Sequence, residues 1–163
     1  MNLQRIFEES GEKLPFENTM QAESVESLSG SPVVGDIFVK GIISNNAGVV
    51  TVDYTVNYVL SSECDRCLEK VTQKRTFNSS VVAVRELNQE ENDDFLVLPD
   101  AVLDVDAMVC EDIIFDIPSK ILCDENCKGL RPVCGVNRNI SECNCLSKVV
   151  DPRLQALADL LKE

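Results

Sequence analysis

The alternation of apolar and polar residues in the middle of the chain constrains its fold more than any other feature. From Val50 to Leu60 every second residue is apolar, and the residues between them are mostly threonine, aspartate and asparagine. A period of two is typical of a β-strand with one buried face. The apolar stretch Ile37 to Ile43 precedes it, and the segment Ser44 to Gly48 between the two favours a turn. The sequence therefore predicts a β-hairpin with one buried face.

A further β-rich stretch follows, after a corner that contains two cysteines. It covers Val71 to Arg85, and its apolar side chains change face between Phe77 and Val82. Such a change of face predicts a bulge near Ser79-Ser80, because one extra residue reverses the alternation. We therefore expect an antiparallel meander with one irregular strand.

Helical patterns flank these strands. Asn2 to Glu9 fits a short amphipathic helix, and Asp104 is a suitable N-cap for a second helix that Pro118 limits. Cys110 lies inside this second helix, and we interpret it as a small buried hydrophobic residue. Asp151 to Leu161 begins with an acidic cap and proline, which predicts a C-terminal helix.

Together these patterns predict an α+β fold. It consists of an antiparallel β-meander or partly open barrel, flanking short helices and a cysteine-rich C-terminal segment. We assign residues 1–118 to the sheet with its helices and residues 119–163 to the cysteine-rich segment and the C-terminal helix. With 163 residues, 44% of them hydrophobic, the chain suffices for one core, so we expect one integrated domain.

Composition excludes several classes of function. Histidine is absent, which removes the commonest general base, histidine-containing metal sites and the familiar catalytic triads. The sequence also contains no phosphate-binding loop. We therefore predict a protein that is not an enzyme and that has no small-molecule substrate.

Charge and hydropathy restrict location and partners. No stretch approaches the roughly 20 apolar residues that span a bilayer, and the N-terminus carries Arg5, Glu8 and Glu9. We therefore expect a cytoplasmic protein without membrane contact. Its 28 acidic and 15 basic residues give a net charge of -13, so any contact with RNA must be local.

Eight cysteines in a reducing compartment require an explanation other than a disulfide framework. Two close pairs stand out, Cys64-x2-Cys67 and Cys123-x3-Cys127. Two sulfur atoms at a tight corner can share one tetrahedral ion, and a second pair elsewhere in the chain completes the four ligands. The spacing thus predicts one structural zinc ion bound by four thiolates.

Two alternatives remain at this point. A competing metal set would leave the first CxxC as a dithiol and would consist of Cys127, Cys134, Cys143 and Cys145. The CxxC could instead act in thiol-disulfide exchange, in which case the chain would be a redox protein. In the thioredoxin pattern, however, the first cysteine lies between a strand and a helix, whereas Cys64 lies between two β-rich stretches.

Basic residues are concentrated near the cysteines and form a candidate phosphate-binding surface. The alternative is that they are ordinary solvated side chains. The candidate RNA-binding residues are Arg66, Lys70, Lys74, Arg75, Lys128, Arg131 and Arg138.

Several motifs follow one another in a specific order along the chain. They are Leu14-Pro15-Phe16, Cys64-Asp65-Arg66-Cys67-Leu68, the helix Leu103 to Pro118, Cys127-Lys128-Gly129-Leu130-Arg131-Pro132-Val133-Cys134-Gly135-Val136-Asn137, Cys143-Asn144-Cys145 and Asp151-Pro152-Arg153-Leu154. This order resembles that of the YceD family over nearly the whole chain. The resemblance implies a non-enzymatic role in the accumulation of 23S ribosomal RNA and in large-subunit assembly. The implied partner is 23S rRNA or a pre-50S particle, contacted directly or through ribosomal proteins.

The chain departs from this family pattern at Arg131, where many relatives of the cysteine-rich branch carry another cysteine. A complete second metal site is therefore not implied. A further alternative is a zinc-stabilised protein-interaction module without RNA contact, which would use the acidic surface.

Overall fold

The part of the chain that the structure describes forms five strands of one sheet, with one short helix before the first strand and another after the last. The computed structural model describes residues 1–24, 28–86, 95–142 and 145. The elements are α1 (Gln4–Glu8), β1 (Lys13–Gln21), a 3-10 turn (Ala22–Ser24), β2 (Val33–Asn46), β3 (Val49–Glu63), β4 (Lys70–Val84), β5 (Phe95–Val97) and α2 (Val105–Asp116). The predicted C-terminal helix lies outside the described residues.

The five strands form one open sheet in the order β1-β2-β3-β4-β5. Strands β1 to β4 pair antiparallel, whereas the short β5 pairs parallel with β4, so the sheet is mixed. The prediction of an α+β meander with short flanking helices is confirmed, and the sheet is not closed into a barrel. None of the helices within the described part of the chain is long and apolar enough to cross a membrane.

The predicted bulge near Ser79-Ser80 is wrong. Strands β3 and β4 pair without interruption, and Ser79 lies opposite Tyr54. In the sequence the apolar-polar alternation of β4 is interrupted because two polar residues, Arg75 and Ser79, face inward. Ser79 forms a hydrogen bond with Tyr54, and Arg75 forms one with Asp116. The irregularity is in β2 instead, where the register with β3 shifts between Val34 and Phe38.

Strand β1 is not evident from the sequence. Its inward positions include Phe16 and Met20, which are buried, but also the polar Asn18. Pro15 further obscures the pattern, although an edge strand tolerates a residue without an N–H group. In the structure Asn18 is satisfied because its side-chain amide donates a hydrogen bond of 2.5 Å to Asp106 at the start of α2.

The main core lies between the inner face of the sheet and α2. Fully buried residues of β3, among them Val52 and Val56, belong to the same cluster as Val109 and Ile113 of α2. The predicted cap of α2 is confirmed, because the Asp104 carboxylate accepts hydrogen bonds from two backbone N–H groups of the first turn. Cys110 is buried in this core, as predicted.

Acidic residues of α2 fix the helix to the sheet. The hydroxyl groups of Tyr54 and Tyr58 donate to Asp112 and Asp116, the latter over 2.5 Å, and Arg75 of β4 pairs with Asp116 at 3.1 Å. Burial and these carboxylates raise the pKa of both tyrosines, that of Tyr58 to about 12. The helix is thereby oriented so that its C-terminal end lies near β4.

Candidate metal centre

Four cysteine sulfur atoms meet beside the corner between β3 and β4. Cys64 and Cys67 belong to this corner, and Cys123 and Cys127 belong to the segment that follows α2. The four Sγ atoms all lie within 4.8 Å of one another. The Sγ atoms of Cys67 and Cys123 are 3.5 Å apart, and those of Cys64 and Cys127 are 3.8 Å apart.

Each pair lies in a tight turn. In the first turn the Cys64 carbonyl accepts a hydrogen bond of 2.9 Å from the backbone N–H of Leu68, which adopts a φ of +62°. In the second turn the backbone N–H of Cys127 donates to the Asp124 carbonyl at 3.0 Å. Gly129, two residues after Cys127, has a φ of +68°, a value that glycine adopts without strain. A Cβ atom at Gly129 would lie only 2.9 Å from the carbonyl oxygen of Arg66, so the two turns are in close contact.

Several hydrogen bonds fix the two turns to each other. The backbone N–H of Ile121 donates to the Asp65 carboxylate at 2.7 Å, and the backbone N–H of Asp65 donates to the Ile121 carbonyl at 2.9 Å. The Arg66 guanidinium donates to the Cys127 carbonyl at 2.9 Å. The positions of the sulfur atoms are therefore set by the protein chain itself.

A small apolar cluster surrounds the sulfur atoms and is separate from the main core. Val71 and Ile121 are buried in it, and Leu122 and Leu130 pack against them. Of the four cysteines, Cys64, Cys67 and Cys127 are buried, whereas Cys123 is exposed.

Hydrogen bonds to sulfur determine how easily each thiol ionises. Burial opposes ionisation of Cys64, but the backbone N–H groups of Cys123, Arg66 and Cys67 lower its pKa to about 6. The Asn139 side chain donates to the Cys127 sulfur at 3.2 Å and lowers the pKa of that thiol. The pKa of Cys123 is instead raised to about 12, because the sulfur atoms of Cys67 and Cys127 lie against it.

The arrangement fits a tetrahedral metal ion. Zinc binds thiolate sulfur at about 2.3 Å, which places the sulfur atoms of a regular tetrahedron about 3.8 Å apart. The two S···S distances of 3.5 and 3.8 Å match this edge, whereas a disulfide bond is about 2.05 Å long. Four converging thiols with N–H donors around them could therefore hold a metal ion.

Comparison with known proteins agrees with these motifs. A sequence model described as "Large ribosomal RNA subunit accumulation protein YceD" matches residues 52–161, which include all four cysteines. The chain belongs to the YceD family. It is also 26% identical over 151 residues to "Uncharacterized protein YlbN" of Bacillus subtilis (strain 168), an alignment that covers 91% of this chain and 88% of that protein. No solved structure gives a significant match.

Of the alternative cysteine set of this YceD-family chain, the structure describes three members. Cys127 lies in the first cluster, Cys134 is exposed and Cys145 is half-buried, while Cys143 lies outside the described residues. Among the described residues, Cys64, Cys67, Cys123 and Cys127 form the group of side chains whose ligand atoms lie close enough together to bind one metal ion.

The candidate RNA-binding residues of the YceD-family chain fall into two groups. Lys70, Lys74, Lys128 and Arg138 are exposed, and the first two share the outer face of β4. The other three are engaged within the protein. Arg75 lies on the inner face with Asp116, Arg66 donates to backbone carbonyls, and Arg131 donates to the Cys145 carbonyl at 3.1 Å.

Sequence reasoning missed the residues that support the cysteines. Asn139 contacts Cys127, and the Asn137 side-chain amide donates to Glu69 in the first turn at 2.9 Å. The Asn137-x-Asn139 pattern was an available signal, because asparagine side chains often bond to nearby backbone in turns. Its relation to the sulfur atoms depends on long-range contacts.

Proposed function

We propose that this chain is a non-enzymatic factor for large-subunit assembly that supports the accumulation of 23S rRNA in the cytoplasm. In this proposal Cys64, Cys67, Cys123 and Cys127 bind one structural zinc ion. Exposed basic residues beside the zinc contact 23S rRNA or a pre-50S particle. The observation that carries the proposal is the family match, whose description names ribosomal RNA accumulation and whose range contains the four clustered cysteines.

Zinc has a clear structural task in this proposal. The pairs Cys67/Cys123 and Cys64/Cys127 are separated by 56 and 63 positions along the chain. Metal binding would close this long loop and join the cysteine-rich segment after α2 to the sheet, which makes residues 1–118 and 119–163 one domain. The small apolar cluster around the sulfur atoms supports this role, because alone it is a modest core.

The surface for RNA consists of fewer residues than the sequence suggested. Lys70 and Lys74 point outward from the same face of β4, and Lys128 and Arg138 belong to the exposed turns around the cysteines. Arg75 is better explained as a structural residue, since its guanidinium is 3.1 Å from the Asp116 carboxylate. The proposed contact is electrostatic and independent of base sequence.

A charge-reversal experiment tests this surface. The variant with Lys70→Glu and Lys74→Glu is compared with a matched variant, Lys13→Glu and Lys40→Glu, which makes the same charge change elsewhere on the sheet. We expect only the first variant to lose co-sedimentation with pre-50S particles. The slope of its RNA affinity against salt concentration should fall by about one unit for each phosphate group that it no longer binds. Equal binding by both folded variants would overturn the proposed surface.

One observation favours a second candidate function. The net charge of -13 suits contact with basic ribosomal proteins better than contact with RNA. In that case the chain is a zinc-stabilised interaction module, both double variants bind as the wild type does, and binding survives nuclease treatment of the particles.

A further inference from the structure

The four thiols of the candidate centre are chemically unequal, and Cys123 differs from the rest. Cys64, Cys67 and Cys127 have relative exposures of 0%, 4% and 4%, whereas Cys123 is exposed. Its chain neighbours Asp124 and Glu125 are exposed as well. Cys123 is therefore the residue of the cluster that is most accessible to a small reagent in the solvent.

Hydrogen bonds reinforce this difference. Backbone N–H groups of the first turn point at Cys64 and Cys67, and Cys127 accepts from Asn139 at 3.2 Å. In the zinc-bound centre all four sulfur atoms are thiolates, because a coordinating thiol is deprotonated. An N–H donor withdraws electron density from a bound thiolate, so the sulfur atoms of Cys64, Cys67 and Cys127 are less nucleophilic than that of Cys123. Cys123 is surrounded mainly by the other sulfur atoms of the cluster.

A second thiol is already positioned beside Cys123. The Cys67 sulfur is 3.5 Å away, closer than the 3.8 Å between Cys64 and Cys127. A disulfide bond of about 2.05 Å requires these two sulfur atoms to approach by about 1.5 Å. The two cysteines lie on different turns, so the bond would cross-link the β3–β4 corner to the segment after α2.

We propose that Cys123 is a site of oxidation by hydroperoxides, that Cys67 resolves the product into a disulfide, and that metal release follows. This inference rests on the proposed zinc centre. It differs from catalytic thiol-disulfide exchange, because it is a single stoichiometric event that involves one cysteine from each pair rather than the two of the CxxC.

Atoms and electrons balance in both steps of this reaction. The zinc-bound Cys123 thiolate attacks one peroxide oxygen, an S–O bond forms, the O–O bond breaks, and the departing hydroxide takes a proton from solvent to become water. The Cys67 thiolate then attacks the Cys123 sulfenic acid, forms the S–S bond and displaces hydroxide, which becomes a second water. Two thiolates lose two electrons in total, and the peroxide is reduced by two. Only Cys64 and Cys127 then remain as thiolate ligands, too few for a closed structural site.

The test uses the full chain with its zinc content measured beforehand. Hydrogen peroxide is added, samples are quenched and alkylated at intervals, and disulfides are mapped by peptide mass spectrometry while a chromogenic chelator reports zinc. We expect the Cys67–Cys123 disulfide to appear first and zinc release to follow the same time course. In Cys67→Ser, dimedone should trap Cys123 as the sulfenic acid without a disulfide. In Cys134→Ser, an exposed cysteine outside the cluster, release should proceed at the wild-type rate.

The possible failures are distinguishable. A chain without zinc before peroxide is added overturns the proposed zinc centre and this inference with it. A zinc-loaded chain in which Cys64–Cys127 forms first, or in which peroxide releases no zinc while other cysteines oxidise, overturns the inference alone. Because the mapping is done on the wild-type protein, the result does not depend on whether a variant folds.

Discussion

Two glycines with the same backbone conformation provide a sharp test of the contact between the cysteine turns. Gly129 and Gly135 have φ angles of +68° and +69°. A Cβ atom at Gly129 would lie 2.9 Å from the Arg66 carbonyl oxygen and 3.3 Å from the Arg66 Cβ, whereas a Cβ at Gly135 would meet nothing within 4 Å. Gly129→Ala and Gly135→Ala therefore share the backbone strain and differ in the steric contact.

The expected magnitudes follow from this difference. An alanine in the left-handed region lowers the free energy of unfolding by about 1–2 kcal/mol. Replacing glycine also lowers the entropy of the unfolded chain, which offsets part of this loss, so we expect a net decrease of about 1 kcal/mol for Gly135→Ala. At Gly129 the Arg66 carbonyl must also move, although it accepts a hydrogen bond of 2.9 Å from Leu130 N–H. Breaking that bond adds about 1–1.5 kcal/mol, so we expect about 2–3 kcal/mol for Gly129→Ala.

Urea denaturation of the metal-loaded variants measures the two changes in stability, and competition with a zinc chelator measures whether affinity falls in parallel. We expect Gly129→Ala to lose both stability and zinc affinity and Gly135→Ala to keep its zinc affinity. Equal destabilisation of the two variants would refute the close contact between the turns, because it would show that only the backbone conformation matters.

Three further predictions concern the sheet and α2. Asp116→Ala should lower the free energy of unfolding by about 1–3 kcal/mol in urea, because it leaves Tyr58 and Arg75 without their carboxylate partner; a decrease below about 0.5 kcal/mol contradicts this. Both tyrosines of the chain have a raised pKa, that of Tyr58 about 12, above the ordinary value of about 10. Their stabilising effect is thus complete below about pH 10 and is lost as pH rises through the folded-state pKa. Absorbance titration should show little tyrosinate at pH 10 in the folded protein, and half-ionisation there would be inconsistent with the hydrogen bonds. Gly41→Ala should lower the free energy of unfolding by about 1–3 kcal/mol. Its Cβ would lie 2.6 Å from the Asp53 carbonyl oxygen and 2.7 Å from the Phe16 ring, and unchanged thermal stability would show that these contacts are absent.

The hairpin and α2 could be predicted because their signals are local. The alternation from Val50 to Leu60 specifies a buried face by itself, and Asp104 begins a helix through its own side chain. The proximity of the two cysteine pairs could also be predicted, because closely spaced cysteines that do not form disulfides favour a shared metal ion.

The remaining features depend on contacts between distant segments. Asn18 and Arg75 look like interruptions of an inward-facing row until α2 supplies Asp106 and Asp116 as partners. The parallel pairing of β5 and the register shift in β2 likewise follow from tertiary packing rather than from local patterns. For the same reason Asn139 could not be identified as a neighbour of the Cys127 sulfur before the turns were placed side by side.

Metal analysis is the most direct test of the proposed zinc centre. Inductively coupled plasma mass spectrometry on protein purified without a chelator should find one zinc ion per chain. The zinc should be lost in Cys64→Ser, whose sulfur lies in the four-cysteine cluster, and retained in Cys134→Ser, whose sulfur lies outside it. Protein that is folded and metal-free as purified, or zinc that survives Cys64→Ser but not Cys134→Ser, would contradict the assignment of the four cysteines to one metal centre.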